Sequence, residues 1–114
     1  MRLLFDASAQ TLHTSGRHTF GGTVGFTLVL HTWDQQLRLH PHLHCLIASG
    51  ALLTGEKPQW VAGGRKFLFP VRRLSKIFRA RLLRGLTNLL ADHALDLPAS
   101  LLWLESADSR RLFE

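Results

Sequence analysis

With 114 residues, 46% of them hydrophobic and 19% charged, the chain has the composition of one small globular domain, which excludes wholesale disorder, collagen-like repeats and a second full domain. Fourteen Lys and Arg oppose eight Asp and Glu for a formal charge of +6, and eleven of the fourteen cations are Arg. Arg grips phosphates with a forked geometry, so the expected partner is a polyanion, with nucleic acid first and an acidic membrane surface second. No apolar run approaches the roughly 20 residues a membrane span needs, and the amino end has no apolar signal core, so a cytoplasmic location with no membrane insertion is expected. The single cysteine, Cys45, can form neither an internal disulfide nor a cysteine-based zinc site alone.

In chain order, residues 7–12 suggest a short helix and residues 15–22 a Gly-rich loop. Residues 23–31 (TVGFTLVLH) are β-branched and apolar on both faces, which predicts a central strand covered on both sides. A polar connection, 32–39, leads to a second strand over 42–47, with Pro41 at its start and Ser49-Gly50 at its end. Two strands joined by about ten residues should pair antiparallel, making His31 and His42 neighbours. Residues 54–58 read as a turn, 60–62 as a short strand, Gly63-Gly64 as a break and 66–69 as a further strand. Pro70 then opens an amphipathic helix, with Val71, Leu74, Ile77, Phe78, Leu82, Leu86, Leu89 and Leu90 recurring at three- and four-residue steps, ending near 92–95. Residues 101–104 fit either a strand or a helical turn. The fold class is α+β, an antiparallel sheet layered on helices.

The most informative stretch is His40-Pro41-His42-Leu43-His44-Cys45. Residues two apart on a strand share a face at about 6.6–7 Å, so His42 and His44 project side by side and can share one metal ion. Leu43 and Cys45 point to the other face, where Cys45 is expected to pack into the core. Alternating histidines can also be plain exposed strand residues; His40 in phase, His31 on the neighbouring strand and the basic charge favour metal. A third ligand from His31, His40, Asp34 or Gln35 would still leave coordination positions open. Imidazole suits Mn²⁺ and Zn²⁺ better than Mg²⁺, although mixed sites hold any of the three.

The segment GFTLVLHTWDQQLRLHPHLHCLI, followed by FLFPVRRLSKIFR, resembles the central part of the two-tyrosine HUH transposases of rolling-circle insertion sequences. His40 to His44 match the family's His-Pro-His-hydrophobic-His motif, and Leu30 to Trp33 match its Leu-His-Thr-Trp strand end; the resemblance extends over residues 3–84. It implies an HUH-endonuclease-like antiparallel sheet packed against helices, and a divalent ion (Mn²⁺ or Mg²⁺, with Zn²⁺ also possible) held by His42 and His44 to polarise a scissile phosphate. It also implies single-stranded or hairpin DNA as partner and a tyrosine nucleophile that becomes joined to the 5′-phosphate. The chain contains no Tyr and lacks the family's cysteine-rich zinc module. Residues 1–114 are therefore expected to be a partial catalytic domain, with an incomplete sheet and no catalytic residue of the covalent route.

In the predicted helix Arg72, Lys76 and Arg79 lie at i, i+4 and i+7 and line one face, suited either to plain solvation or to phosphate contacts without sequence readout. Trp33, Trp60 and Trp103 are expected to pack in the core, with stacking on unpaired bases as the alternative. Two other functions compete with the transposase reading: a small basic nucleic-acid-binding domain whose histidines are structural or bind zinc without catalysis, and a hydrolase using metal-activated water with Asp34 as its nearby carboxylate.

Overall fold

The computed structural model describes residues 1–105. Its elements are α1 (Arg2–Phe20), β1 (Phe26–Trp33), β2 (Leu39–Ile47), β3 (Gly50–Leu53), β4 (Gln59–Ala62), α2 (Val71–Ala91) and a 3₁₀ helix (Ala99–Glu105). Two small antiparallel sheets, β1-β2 and β3-β4, combine with the two helices in an α+β arrangement.

The first helix is much longer than its sequence suggests. Where a short helix and a loop are expected, α1 runs unbroken to Phe20 and stops at Gly21, whose φ of 71° lies in the left-handed region and whose N–H donates to the Arg17 carbonyl. The reason is the size of the residues it buries: Ala7, Thr11, Leu12, Ser15 and Gly16 form a stripe at helical spacing that is nearly devoid of large apolar side chains. Hydrophobic periodicity cannot detect such a stripe, yet it allows close approach. A Cβ on Gly16 would stand 2.7 Å from Val24 Cγ1, and Val24 is in the core. The Thr11 hydroxyl is satisfied within the helix, donating to the Ala7 carbonyl at 2.6 Å.

Strand β1 pairs antiparallel with β2, placing Phe26 opposite Ile47 and His31 opposite His42, as the short connection predicts. It is not central. Its burial alternates residue by residue: Phe26, Leu28, Leu30 and Thr32 are half-buried and Thr27, Val29, His31 and Trp33 exposed, so one face of this hairpin is open. The apolar run reads as two-sided because Val29, 49% exposed, lies on the open face, where Leu46 of β2 is 79% exposed beside it. β2 begins at Leu39, before Pro41, and between His31 and Trp33 the register shifts so that Thr32 alone opposes His40 and Pro41. This bulge is where a proline, having no N–H for the ladder, can sit inside a strand.

Strand β3 is not anticipated by the sequence reading, which ends the second strand at Ser49-Gly50. The chain bends there and continues: from the Phe26 and Ile47 pair, three residues back on one side and five forward on the other, Thr23 bridges Leu52 through two backbone hydrogen bonds of 2.9 and 2.8 Å. β4 pairs with the other edge of β3, with Gly50 opposite Ala62 and Leu53 opposite Gln59. The expected strand over 66–69 is irregular chain instead. Leu68 and Phe69, although adjacent, both pack with the core, while Phe67 remains 65% exposed.

The core cluster joins Leu12 of α1, Val24, Ala51 of β3 and Phe69, with Phe20, Phe26, Leu28, Ile47, Leu68 and Leu74 packed around it. The hairpin β1-β2 therefore meets the core at its base, through Phe26, Leu28 and Ile47, and the described chain is elongated, 55 × 35 × 24 Å. Helix α2 spans the expected segment between its caps Pro70 and Asp92 and packs on α1. Val71, counted on its apolar face, is 73% exposed. The 101–104 segment belongs to the 3₁₀ helix, so the helical alternative holds.

Candidate metal centre

The open face of the hairpin carries the histidines. His42 lies directly across from His31, and His44 is two residues further along β2, opposite Val29 and diagonal to His31. The three rings meet, with centroids 5.4 Å apart for His31 and His42, 4.1 Å for His31 and His44, and 5.0 Å for His42 and His44. One ring nitrogen from each lies within 4.8 Å of the others, forming a group of three imidazole donors. Imidazole is the commonest side-chain metal ligand, and three of them leave positions open for water or substrate, so the donor set fits Zn²⁺ or Mn²⁺.

His40 stands apart from this group. The bulge puts it out of phase with His42, although the two rings remain 5.0 Å apart. Its contribution is through the backbone: His42 Nδ1 lies 2.7 Å from the His40 carbonyl oxygen. A carbonyl only accepts, so Nδ1 carries the proton and Nε2 presents its lone pair, the second-sphere arrangement that fixes the tautomer of a metal-binding histidine. Nε2 of His42 then accepts from Nε2 of His44 at 3.1 Å.

Asp34, a further ligand candidate, is not in the donor group, and Gln35 lies exposed in the hairpin turn. Asp34 closes the hairpin turn. Its Oδ1 accepts from the N–H groups of Gln36 and Arg38 at 2.8 and 3.0 Å, and its Oδ2 takes the Arg38 guanidinium at 2.8 Å. The backbone hydrogen bond from Arg38, with its side chain and the Gln36 N–H, holds the carboxyl below the ordinary aspartate range despite partial desolvation. A carboxylate so engaged is committed to ordering the turn, with both oxygens already accepting hydrogen bonds. Cys45 faces the side opposite His44, as expected, opposite Leu28, but it is exposed rather than in the core. Desolvation pushes its thiol up, so it is a poor thiolate.

The expected core positions of two tryptophans are also overturned. Trp33 is 62% exposed on the histidine face, two residues beyond His31, and Trp60 is 55% exposed on β4. Both sit on two-stranded sheets with an uncovered face. The Trp103 side chain lies outside the described residues. On α2, Arg72, Lys76 and Arg79 are exposed and share a face, and none is in an ion pair among the described residues. Two other cations of this helix are structural ties: Arg73 Nη1 reaches His18 Nδ1 at 2.9 Å, and Arg81 bonds to Gln10 and Thr14 of α1. No described helix is long and apolar enough to cross a membrane.

Fold and site together make this a basic α+β chain that presents three clustered histidines on an antiparallel hairpin. Residues 25–110 match the Y2_Tnp family, described as "Putative transposase", and the chain belongs to that family. It is also 46% identical over 87 residues to "Putative transposase y4qJ" of Sinorhizobium fredii, an alignment covering 74% of this chain and 21% of that protein. The chain thus spans about a fifth of the length of this curated relative. No solved structure matches.

Proposed function

We propose that this chain is the metal- and DNA-holding part of an HUH-type transposase, in which His31, His42 and His44 bind one divalent ion against a phosphate of single-stranded or hairpin DNA. The observation that carries this reading is the convergence of three imidazoles from two paired strands, with the His42 tautomer set by the His40 carbonyl. A bound Mn²⁺, Mg²⁺ or Zn²⁺ would supply Lewis-acid polarisation of the phosphate. The chain's own residues hold and orient: the open hairpin face leaves room for a strand, exposed Trp33 offers a stacking surface beside His31, and Arg72, Lys76 and Arg79 offer phosphate contacts. With no Tyr among the 114 residues, the family's nucleophile is not in this segment, which on this reading is part of the catalytic domain.

The hydrogen bond between His42 and His44 favours one rival, a basic nucleic-acid-binding domain whose histidines satisfy each other without metal. Titration calorimetry with Mn²⁺ and with Zn²⁺ separates the two. Binding is expected in the wild type and in Cys45→Ala, with at least a tenfold loss in His42→Ala and in His31→Ala. Equal heats in the wild type and His42→Ala would refute metal binding and leave the rival.

A further inference from the structure

We propose that the groove between α1 and α2 is a second anion site, separate from the histidine face, which seats a phosphate group of a nucleic-acid strand on Arg17 and Arg81. The cavity, of about 340 Å³, is lined by Gln10, His13, Thr14, Arg17, Thr23 and Arg81. Arg81 organises it. Half-buried in α2, its guanidinium donates from Nη1 to Gln10 Oε1 at 2.8 Å and from Nη2 to Thr14 Oγ1 at 2.7 Å, while the buried Nε has no partner. Both acceptors are neutral. The ion pairs among the described residues, Arg2 with Asp6 and Arg38 with Asp34, lie elsewhere, so no carboxylate balances this charge. A guanidinium cannot shed its proton, and a charge withdrawn from water without a counter-charge is unfavourable.

The donor inventory strengthens the case. Because Gln10 accepts through its carboxamide oxygen, its two N–H donors remain, and because the Thr14 oxygen accepts from Arg81, its O–H is left to donate. Arg17, one turn beyond Thr14 and exposed, adds a second guanidinium, and His13, tilted against Phe26 with a centroid distance of 5.0 Å, adds a ring nitrogen. A cavity lined by donors, with two permanent positive charges and no carboxylate, selects a ligand that is anionic and only accepts. A phosphate monoester or diester fits, and forked guanidinium contacts are the usual way of holding one. The source of that phosphate rests on the transposase reading; the preference for a phosphate does not.

The test uses the full chain at constant ionic strength. Titration calorimetry with inorganic phosphate, against chloride, is expected to show saturable binding. It should weaken about tenfold or more in Arg17→Gln, whose exposed side chain makes no hydrogen bond or ion pair among the described residues, and in Arg81→Lys, which keeps the charge but loses the fork. His44→Ala should bind phosphate as the wild type does, so failure of the metal reading would leave this site standing. No saturable binding above chloride, or equal binding in the wild type and both Arg variants, would overturn the site. A 5′-phosphorylated single-stranded oligonucleotide and its unphosphorylated twin identify the source. Tighter binding of the first assigns a terminal phosphate, and equal binding that is weakened in Arg17→Gln assigns an internal one. Oligonucleotide binding unaffected by Arg17→Gln would refute the nucleic-acid assignment.

Discussion

Gly50 offers a stringent test of the bend that joins the histidine-bearing strand to the rest of the fold. It sits where β2 becomes β3, with φ at 156°, and it faces Ala62 in the β3-β4 ladder. A Cβ built there would lie 2.4 Å from Val61 O and 2.4 Å from Trp60 Cζ2. The first of these is backbone, which cannot swing aside as a side-chain tip can, so Gly50→Ala must either open the β3-β4 pair or move the bend. Strain in a sparsely populated backbone region is worth about 1–3 kcal/mol, and forced overpacking about another 1–3 kcal/mol. Because one displacement relieves both, about 2–4 kcal/mol is expected, or roughly 8–16 °C in melting temperature at about 4 °C per kcal/mol for a domain of this size. The control is Gly25→Ala, where an added Cβ meets nothing within 4 Å. That variant should be neutral or slightly stabilised, by less than about 1 kcal/mol, through the reduced freedom of its unfolded chain. Circular-dichroism melts of the three proteins decide the matter: Gly50→Ala melting within about 3 °C of the wild type would refute the reasoning at that scale.

If the exposed face of Arg72, Lys76 and Arg79 contacts three phosphates of a single strand, replacing all three by Ala should flatten the slope of log affinity against log salt by about 2; an unchanged slope would reduce the face to a solvated surface. Asp34 has a lowered pKa in the fold, so its ordering of the hairpin turn is present above the ordinary aspartate value of 3.8 and is lost as pH falls through the lower, folded value. The protection factors of the Gln36 and Arg38 amides, taken against the intrinsic exchange rate at each pH, should therefore fall in acid, and at pH 7 should already be lower in Asp34→Asn than in the wild type; equal protection in wild type and variant at pH 7 would remove Asp34 from that role. Incubated with Mn²⁺ and labelled single-stranded or hairpin DNA, this chain should form no covalent, protease-sensitive DNA adduct through tyrosine, since it contains none. Such an adduct on a denaturing gel would identify a different nucleophile, whereas protein-free cuts lost in His44→Ala would favour hydrolysis by metal-activated water.

The parts of this fold that are legible in the sequence are those in which large apolar residues recur at a fixed period or a motif fixes a local geometry. Helix α2 is one, since Leu74, Ile77, Phe78, Leu82 and Leu86 announce a helical face, and the pairing of His31 with His42 is another, since a short connection leaves antiparallel pairing as the simple solution. Helix α1 is hidden because its buried stripe is Ala7, Thr11, Ser15 and Gly16, residues that signal loops when read singly and close helix packing when read together. The burial of the β1-β2 hairpin is misread for the opposite reason. Val29 and Leu46 look like core residues, and only the register shows them on the open histidine face. The same register decides the site. His40, His42 and His44 are equivalent by spacing alone, but the extra residue opposite Thr32 takes His40 out of the donor group and turns its carbonyl toward His42 Nδ1. Pro41, which the motif places between His40 and His42, is the residue best suited to that bulge because it has no ladder N–H to lose. A proline read from the sequence as a strand boundary therefore acts inside the strand, where it separates a histidine that orients from the histidines that can ligate.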